Sequence, residues 1–316
     1  MEKIVVMGTG TMAAGIGAGF IQAGFEVVFL GRTLVKAELS LAAAQTLAAG
    51  LAAGTSIGDA APTAGGSAGL IDTWNDWPGV VWVIETVAED LAIKRALFAA
   101  LDARVPAHIP IGSNSSGFPI TRIAEGLPTR SRMFNSHYFM PAHLVPLVEV
   151  ALGEDSDPVL GEAVCALYRR AGKKPVLVRK DIPGFLANRI QHALMREALA
   201  LIDSGIASPD DIDTAVRYSF GFRYAAAGPV LQKEISGWDS MARAAAEIYP
   251  SLSNTPVLAD CVARIVAAGH TGMKAGEGFK PWSDAQIKSE RAAYEKRLKA
   301  AFDVLNMDTP DELRAA

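Results

Sequence analysis

The sequence predicts an α/β protein in which a doubly wound, mostly parallel sheet is followed by an all-helical domain. A β-branched run opens the chain, and a glycine-rich turn and a helical pattern follow it. Short buried-strand patterns then alternate with helices as far as Val178. Beyond Asp181 only helical patterns remain. We therefore place the sheet domain at residues 1–182 and the helical domain at residues 183–316.

The sheet domain begins with a strand–helix–strand pattern. Residues 3–7 form a continuous β-branched run, as in a strand buried on both faces, residues 26–30 form a second strand, and residues 11–23 form the helix between them. The stretch from Leu34 to Leu70 is rich in Ala and Gly, which predicts closely packed helices with a break at residues 61–67. The later predicted elements are strands at 80–85, 109–114, 133–137, 145–150 and 175–178, and a helix at 91–101.

Helical patterns fill the second domain. They cover residues 185–203, 210–219 and 256–268, and a charged amphipathic helix covers residues 283–305. Ser208 is the expected N-cap of the second of these helices, because a proline and then acidic residues follow it.

The composition limits the class of partner. The chain has 316 residues, half of them hydrophobic, and a net charge of -4, which gives no electrostatic footprint for nucleic acid or an anionic membrane. Its two cysteines, Cys165 and Cys261, lie in Ala-rich helical patterns and are expected to be small buried hydrophobes rather than a disulfide or metal ligands. Since no apolar run is long enough to cross a membrane and no leader is visible, we expect a cytoplasmic protein with small-molecule partners and no metal site.

The first turn has the pattern G-x-G-x-x-A between a strand and a helix. Gly8 would permit the tight turn, and Gly10 would let a pyrophosphate approach the backbone. Thr11, Met12 and Ala13 open the helix, whose unpaired amides favour a phosphate, and the small Ala13 would allow close packing on the sheet. The pattern predicts a dinucleotide site; the alternative is a turn that merely tolerates glycine.

The end of the second strand bears on which dinucleotide binds. NAD-binding proteins usually have a carboxylate here, whereas this chain has Arg32 and Thr33, with Lys36 one helical turn later. Arg32 would bind a 2′-phosphate and Thr33 would donate a hydrogen bond to it, which favours NADP and leaves NAD as the second candidate. Alternatively, Arg32 caps a surface loop or stacks on the adenine of NAD.

Six segments together resemble the L-3-hydroxyacyl-CoA dehydrogenase family, and they occur in the family's order along nearly the whole chain. The resemblance implies an NAD(P)-dependent oxidoreductase acting on CH–OH, with a helical domain that forms a homodimer. The segments are GTGTMAAG, VIETVAEDLAIKRALF, SNSSGFPITRIA, HYFMPAHLVPLVEV, DIPGFLANRI and GMKAGEGF.

The resemblance assigns four catalytic-site residues. Ser116 and Asn188 match the residues that hold the substrate oxygen, His137 matches the general acid/base, and Glu149 matches the carboxylate that orients it. An imidazole suits this reaction because its pKa permits proton transfer in both directions. Each residue also has an ordinary structural interpretation. The alternatives are that Ser116 closes a turn, His137 is a structural histidine, Glu149 pairs with Arg or Lys, and Asn188 forms a hydrogen bond at the start of a helix.

The resemblance also places Glu89 and Lys94 near the nicotinamide ribose and neighbouring cofactor groups. The alternative is an ordinary pair on a helix surface, although a spacing of five residues is poor for direct contact.

The substrate class rests on one departure from the family. The coenzyme-A thioester enzymes read H-F-F-N-P where this chain has Met140 before the proline, and a thioether cannot replace the hydrogen bonds of the amide. LVPLVEV and GFRYAAAGP resemble the branch acting on free hydroxy acids, which includes L-gulonate 3-dehydrogenase with lambda-crystallin and L-carnitine dehydrogenase. SSGFPIT and AGEGF resemble the pyridoxine-degradation dehydrogenase of that branch. Arg223 either binds the substrate carboxylate or caps the preceding helix.

The sequence therefore predicts hydride transfer between nicotinamide and a hydroxyl or carbonyl group of a small free carboxylic acid. One alternative is a hydroxyacyl-CoA dehydrogenase, which would need a basic groove that the nearly uncharged stretch from Leu41 to Leu70 does not offer. The other is a non-catalytic dinucleotide-binding structural or sensor protein.

Overall fold

The computed structural model describes residues 1–52 and 65–307. By its internal contacts the chain separates into two compact units, Met1–Arg189 and Ile190–Ala316. The predicted domain boundary between residues 182 and 183 stays a prediction.

The first unit is built on one sheet with the strand order β3-β2-β1-β4-β5-β6-β7-β8. All neighbours are parallel except β6 and β7, which are antiparallel. This order reverses direction beside β1, where dinucleotides bind in doubly wound folds. The strands are β1 (Lys3–Met7), β2 (Glu26–Gly31), β3 (Gly66–Leu70), β4 (Val80–Glu85), β5 (Ile111–Ser113), β6 (Met133–Tyr138), β7 (Leu147–Leu152) and β8 (Lys174–Val178).

Helices cover both faces of this sheet, as the continuous apolar strands require. Ile4 and Val6 belong to one buried cluster and Val5 to the other, because successive side chains of a strand point to opposite faces. The helices of this unit are α1 (Thr11–Gln22), α2 (Leu34–Ala52), α3 (Leu91–Arg104), α4 (Ile120–Ile123) and α5 (Pro158–Arg170). The predicted doubly wound, mostly parallel fold is confirmed.

One predicted element is wrong. The helices expected up to Leu70 give way to the strand β3, Gly66–Leu70, which pairs in parallel with β2. Gly, Ser and Ala have little strand propensity of their own, so the pairing decides the conformation. A Cβ on Gly66 would lie 2.5 Å from Leu41 and one on Gly69 would lie 2.9 Å from Trp74, so neighbours occupy the space of the missing side chains. Most of the predicted break at 61–67 lies outside the described residues.

The second unit is helical, as predicted. The expected N-cap is present: the Ser208 hydroxyl accepts from the Asp211 amide, and the Asp211 carboxylate accepts in return from the Ser208 amide. Helix α6 (Ala187–Asp203) begins in the first unit and continues into the second. The remaining helices are α7 (Pro209–Tyr218), α8 (Phe220–Ala226), α9 (Pro229–Ser236), α10 (Trp238–Ile248), α11 (Asp260–Ala267) and α12 (Asp284–Asn306).

Both cysteines are buried and unpaired, which confirms their predicted placement. Burial raises the pKa of the Cys165 thiol to about 11, so this group is a protonated core side chain at neutral pH. In the described part of the chain, no helix has both the length and the apolar character needed to cross a membrane.

Candidate cofactor and catalytic site

The turn after β1 requires glycine at its first position. Gly8 has a φ of 125°, and a Cβ there would lie 2.4 Å from the Thr86 hydroxyl oxygen. The Gly8 amide donates to the Leu30 carbonyl over 2.9 Å, which ties the turn to the end of β2. The turn is therefore held against β2 and against the loop that follows β4.

The start of α1 has the open amides that a pyrophosphate needs. Gly10 is the N-cap, and no side chain within the described residues caps this end. A Cβ on Gly10 would meet no described atom within 4 Å, so the space before the helix is open. Thr11 is exposed and Met12 half-buried, while Ala13 is fully buried against the sheet. These residues fit a dinucleotide phosphate at a helix N-terminus.

The basic residues after β2 lie at the same edge of the sheet. A Cβ on Gly31 would lie 2.8 Å from Thr9 of the glycine turn, so the chain leaves β2 directly beside that turn. Arg32 and Lys36 are exposed. Thr33 accepts from the Lys36 amide at 3.4 Å and so caps α2, although its hydroxyl proton stays free to donate.

A buried ion pair lies at the end of β4. Lys94 Nζ lies 2.8 Å and 3.0 Å from the two carboxylate oxygens of Glu85 and 3.2 Å from Glu89 Oε2. Lys94 is 1% exposed and Glu85 is fully buried. Glu85 also accepts from the Ser113 hydroxyl at 2.7 Å and from the Val87 amide at 2.5 Å. The pair joins β4, α3 and β5.

The two carboxylates of this cluster differ in environment. Burial raises the pKa of Glu85, and the charge of Lys94 opposes the rise. Partial burial also acts to raise the pKa of Glu89, but hydrogen bonds from Ser115 and Gly117, together with Lys94, hold it below its usual value. Glu89 is therefore an ionised carboxylate at neutral pH, and it precedes α3 rather than pairing along a helix surface.

Glu89 also fixes the loop that carries Ser116. Its Oε1 accepts from the Ser115 hydroxyl at 2.6 Å and from the Gly117 amide at 3.0 Å. Ser116 lies between these two attachment points and is exposed. Asn135 of β6 holds the other end of the loop, because its side chain accepts from the Ile120 amide and donates to a loop carbonyl. Ser116 therefore lies on a fixed loop with its own side chain exposed.

The antiparallel pairing of β6 and β7 places His137 directly opposite Glu149. The two side chains meet at 2.8 Å, between His137 Nδ1 and Glu149 Oε2. The other oxygen of Glu149 accepts from the Leu186 amide at 2.9 Å and from the Ala187 amide at 2.8 Å. Because α6 begins at Ala187, Glu149 ties the histidine to the first turn of the helix that carries Asn188.

The histidine keeps one nitrogen unused. The carboxylate accepts the Nδ1 proton, so the neutral ring presents its lone pair at Nε2. No described residue forms a hydrogen bond with Nε2, and the rings of Phe139 and Phe185 lie 4.6 Å and 5.5 Å from the imidazole. His137 and Glu149 are 4% and 1% exposed. The geometry suits a general acid/base.

The predicted substrate residues lie in different units. Met140 is 66% exposed in the loop between β6 and β7 of the first unit. Arg223 is exposed in the last turn of α8 in the second unit. Arg223 lies within α8 rather than at the end of the preceding helix α7, and both its contact with a substrate and its capping role stay predictions.

Two family models match consecutive parts of the chain. Residues 3–182 match the 3-hydroxyacyl-CoA dehydrogenase NAD binding domain, and residues 184–282 match the C-terminal domain of the same family. The chain belongs to the 3-hydroxyacyl-CoA dehydrogenase family. The expected dehydrogenase class and the NAD-binding role of the first domain are thereby confirmed.

Relatives that cover most of the chain carry names from the predicted branch. The chain is 31% identical over 310 residues to 5-formyl-3-hydroxy-2-methylpyridine 4-carboxylate 5-dehydrogenase of Mesorhizobium japonicum, covering 96% of this chain and 98% of the relative. It is 32% identical over 260 residues to L-carnitine dehydrogenase of Streptomyces griseus, covering 80% and 76%. The crystal structure of an enzyme of the first name, described as an NAD+ dependent dismutase, has a TM-score of 0.88 at 30% identity and covers 98% of this chain and 100% of its own.

Sequence reasoning missed the residues that hold the site in place. Glu85, Ser115 and Asn135 were not singled out, although Glu85 gives a usable signal as a lone acid at the end of an apolar strand. Buried charges are rare unless paired, so such a residue predicts a partner on a neighbouring element. Ser115 and Asn135 give no comparable signal, because both read as ordinary loop or strand residues.

Proposed function

We propose that the protein transfers a hydride between nicotinamide and a hydroxyl or carbonyl carbon of a small free carboxylic acid. The main support is the His137–Glu149 pair, which lies within an NAD binding domain. Its hydrogen bond is 2.8 Å long and leaves Nε2 of the imidazole unused. Bound nicotinamide supplies the hydride acceptor or donor. The chain's own residues supply the proton transfer and hold the reacting oxygen.

In the oxidative direction, His137 Nε2 takes the hydroxyl proton as the substrate carbon gives up a hydride, for which a nicotinamide dinucleotide held at Gly8, Gly10 and the start of α1 would be the acceptor. Glu149 stabilises the imidazolium that forms, and its bonds to the start of α6 keep it oriented. Ser116 and Asn188 hold the substrate oxygen. In the reverse direction the imidazolium returns the proton to that oxygen, so protons and electrons balance in both directions.

Three features support a free acid as the substrate. The two named relatives act on carboxylate-bearing molecules by their names. Met140 gives the loop after β6 an exposed apolar side chain. Helix α2 carries only Lys36 and Glu38 as charged residues, so it offers no basic groove for a coenzyme-A phosphate. Arg223 is the proposed partner of the substrate carboxylate.

The preference for NADP over NAD remains a prediction. Arg32 and Lys36 are exposed after β2, and no carboxylate follows directly at the end of that strand, which supports NADP. The solved relative is described as NAD+ dependent, which supports NAD. The choice between NADP and NAD depends on Arg32.

We also propose a homodimer formed by the second unit. Of the described residues 190–307, only Ala198 and Cys261 are buried hydrophobic residues. A helical unit of this length with so small a core needs a further apolar surface to cover it.

Two exposed apolar residues allow a test of the dimer. Ile235 of the second unit is 75% exposed, and Val159 of the first unit is 74% exposed. Ile235→Glu should weaken a dimer seen by light scattering, whereas Val159→Glu should leave it intact; a monomer at micromolar concentration would contradict the proposal.

A substrate panel tests the function. Hydroxy acids, aldehydes with a carboxylate and acyl-CoA thioesters are compared by nicotinamide absorbance with NAD and NADP. Turnover of carboxylates with at least a tenfold higher kcat/KM than matched thioesters supports the proposal. A preference for thioesters favours the hydroxyacyl-CoA alternative, and cofactor binding without turnover of any compound favours a non-catalytic protein.

A further inference from the structure

A buried lysine bonds to the loop between β6 and β7. Lys173 follows α5 and is 8% exposed. Its Nζ donates to the Ala142 carbonyl at 2.6 Å and to the Val145 carbonyl at 3.1 Å. This loop, residues 139–146, connects the strand of His137 to the strand of Glu149. We call it the β6–β7 loop.

Lys173 has no carboxylate bound to it within the described chain. Its Nζ lies 5.7 Å from the centre of the Tyr138 ring, and its Cε would lie 3.4 Å from a Cβ on Gly19 of α1. Burial lowers the pKa of this amine to about 8, so the position is an unfavourable one for a cation. In this position the amine donates hydrogen bonds to two loop carbonyls.

The β6–β7 loop also packs directly on α1, which begins at the phosphate end of the cofactor site. A Cβ on Gly15 would lie 3.0 Å from the Ala142 side chain and 3.3 Å from the His143 amide. The loop is therefore held by its packing on α1 and by the two hydrogen bonds from Lys173. Met140 lies on this loop, with 66% of its surface exposed.

We infer that Lys173 is a positioning residue for the substrate: it fixes the β6–β7 loop, and with it Met140, without touching the substrate or the cofactor. The inference rests on the proposed function, because it takes this loop as one wall of the substrate site. Since Lys173 bonds to the two carbonyls rather than to His137 or Glu149, its loss should affect substrate binding more than proton transfer.

The test compares Lys173→Met with Lys174→Met. Lys174 is the neighbouring lysine and is exposed, so its substitution controls for the loss of one positive charge. Lys173→Met should raise KM for the acid about 10-fold while kcat and the cofactor Kd change less than about threefold. Amide exchange in residues 139–146 should quicken by about 10-fold, because two hydrogen bonds to the loop are lost. Lys174→Met should match the wild type in all four measurements.

The outcomes separate this inference from the proposed function. Unchanged exchange in residues 139–146 of folded Lys173→Met overturns the inference, and so does faster exchange with an unchanged KM. If no acid is turned over by the wild-type protein, the proposed function fails, and the inference that depends on it is overturned with it, even where the exchange result shows that Lys173 holds the loop. If Lys173→Met does not fold, Lys173→Gln, which keeps a donor, is measured in the same way and should give a smaller change in the same direction.

Discussion

Two buried glutamates, Glu85 at the end of β4 and Glu149 on β7, are each bound to a basic side chain, yet the two pairs are arranged differently. At β4, Lys94 contacts both oxygens of Glu85 and also Glu89. Among the described residues, His137 of β6 forms a hydrogen bond only with Glu149, through Nδ1, and its second ring nitrogen has no hydrogen-bond partner. The donors and acceptors of the Glu85–Lys94 pair are used inside the protein, whereas the His137–Glu149 pair leaves Nε2 unused.

This difference shows that burial of an ion pair does not by itself mark a catalytic group. A pair that is fully used within the fold joins secondary-structure elements, as Glu85 and Lys94 join β4, α3 and β5. A pair that leaves one proton-accepting atom unused can move a proton. We therefore expect substitutions in the Glu85–Lys94 pair to change stability, and substitutions in the His137–Glu149 pair to change turnover.

Lys94→Met should have the largest effect, a loss of about 3–5 kcal/mol in the free energy of unfolding, because it leaves the Glu85 carboxylate buried without its cation. Urea unfolding measures this loss. Arg95→Met is the matched control on the same helix, since Arg95 is exposed and pairs with exposed Glu125. A loss below about 1 kcal/mol for Lys94→Met would show that Glu85 does not depend on this pair.

Lys173 is a third buried basic group, and among residues 1–52 and 65–307 no carboxylate is bound to it. Its pKa is lowered from 10.5 to about 8, so below about pH 8 both the folded and the unfolded states carry the proton and burial of the charge is fully unfavourable. Between about pH 8 and 10.5 the unfolded state binds more protons, so this penalty fades as the pH rises.

The unfolding free energy of the wild type, relative to Lys173→Met, should therefore increase by about 2–3 kcal/mol between about pH 7 and about pH 10. Urea titrations of both proteins at the two pH values measure this difference. A constant or falling difference would contradict the assigned environment of the amine.

Glu149→Gln should lower kcat about 100-fold, equivalent to about 2.7 kcal/mol, because the amide does not stabilise an imidazolium as the carboxylate does. Steady-state kinetics measure this, and the cofactor Kd should stay within about twofold. Glu85→Gln is the counterpart at the other pair and should change kcat less than about threefold at a temperature where the protein is folded. Equal losses of kcat in both variants would remove the distinction between the pairs.

Arg32→Asp tests an exposed charge and should have the smallest effect. The carboxylate would repel a 2′-phosphate and accept from a ribose diol, so the ratio of kcat/KM for NADP over NAD should fall by about 10-fold or more. A wild-type protein that prefers NAD, or a ratio that does not respond to the substitution, would show that Arg32 does not bind the 2′-phosphate.

The alternating strands and helices of the first unit were predictable because their strands are continuous apolar runs and the glycine turn follows β1 directly. Strand β3 was not, since Gly66–Leu70 carries no hydrophobic periodicity and exists by pairing with β2. The start of α7 was predictable from Ser208 and the residues after it, because a capping box depends on only a few neighbouring residues.

The contact between His137 and Glu149 was predictable only through the family resemblance. Residue types alone left His137 and Glu149 with ordinary structural interpretations, and their contact depends on the antiparallel register of β6 and β7. Lys173 stands in a Lys-Lys sequence after a helix, which reads as solvated surface. Its burial is set by α1 and the β6–β7 loop, which are distant in the sequence, so no local pattern reports it.

The role of His137 is tested most directly by replacing it with alanine and measuring turnover and cofactor binding on the same sample. We expect kcat to fall by about 10²–10⁴-fold, the usual contribution of a general acid/base, while the cofactor Kd stays within about twofold. A kcat within about tenfold of the wild-type value, or a loss of cofactor binding in step with turnover, would contradict the assignment of His137 as the proton-transfer group.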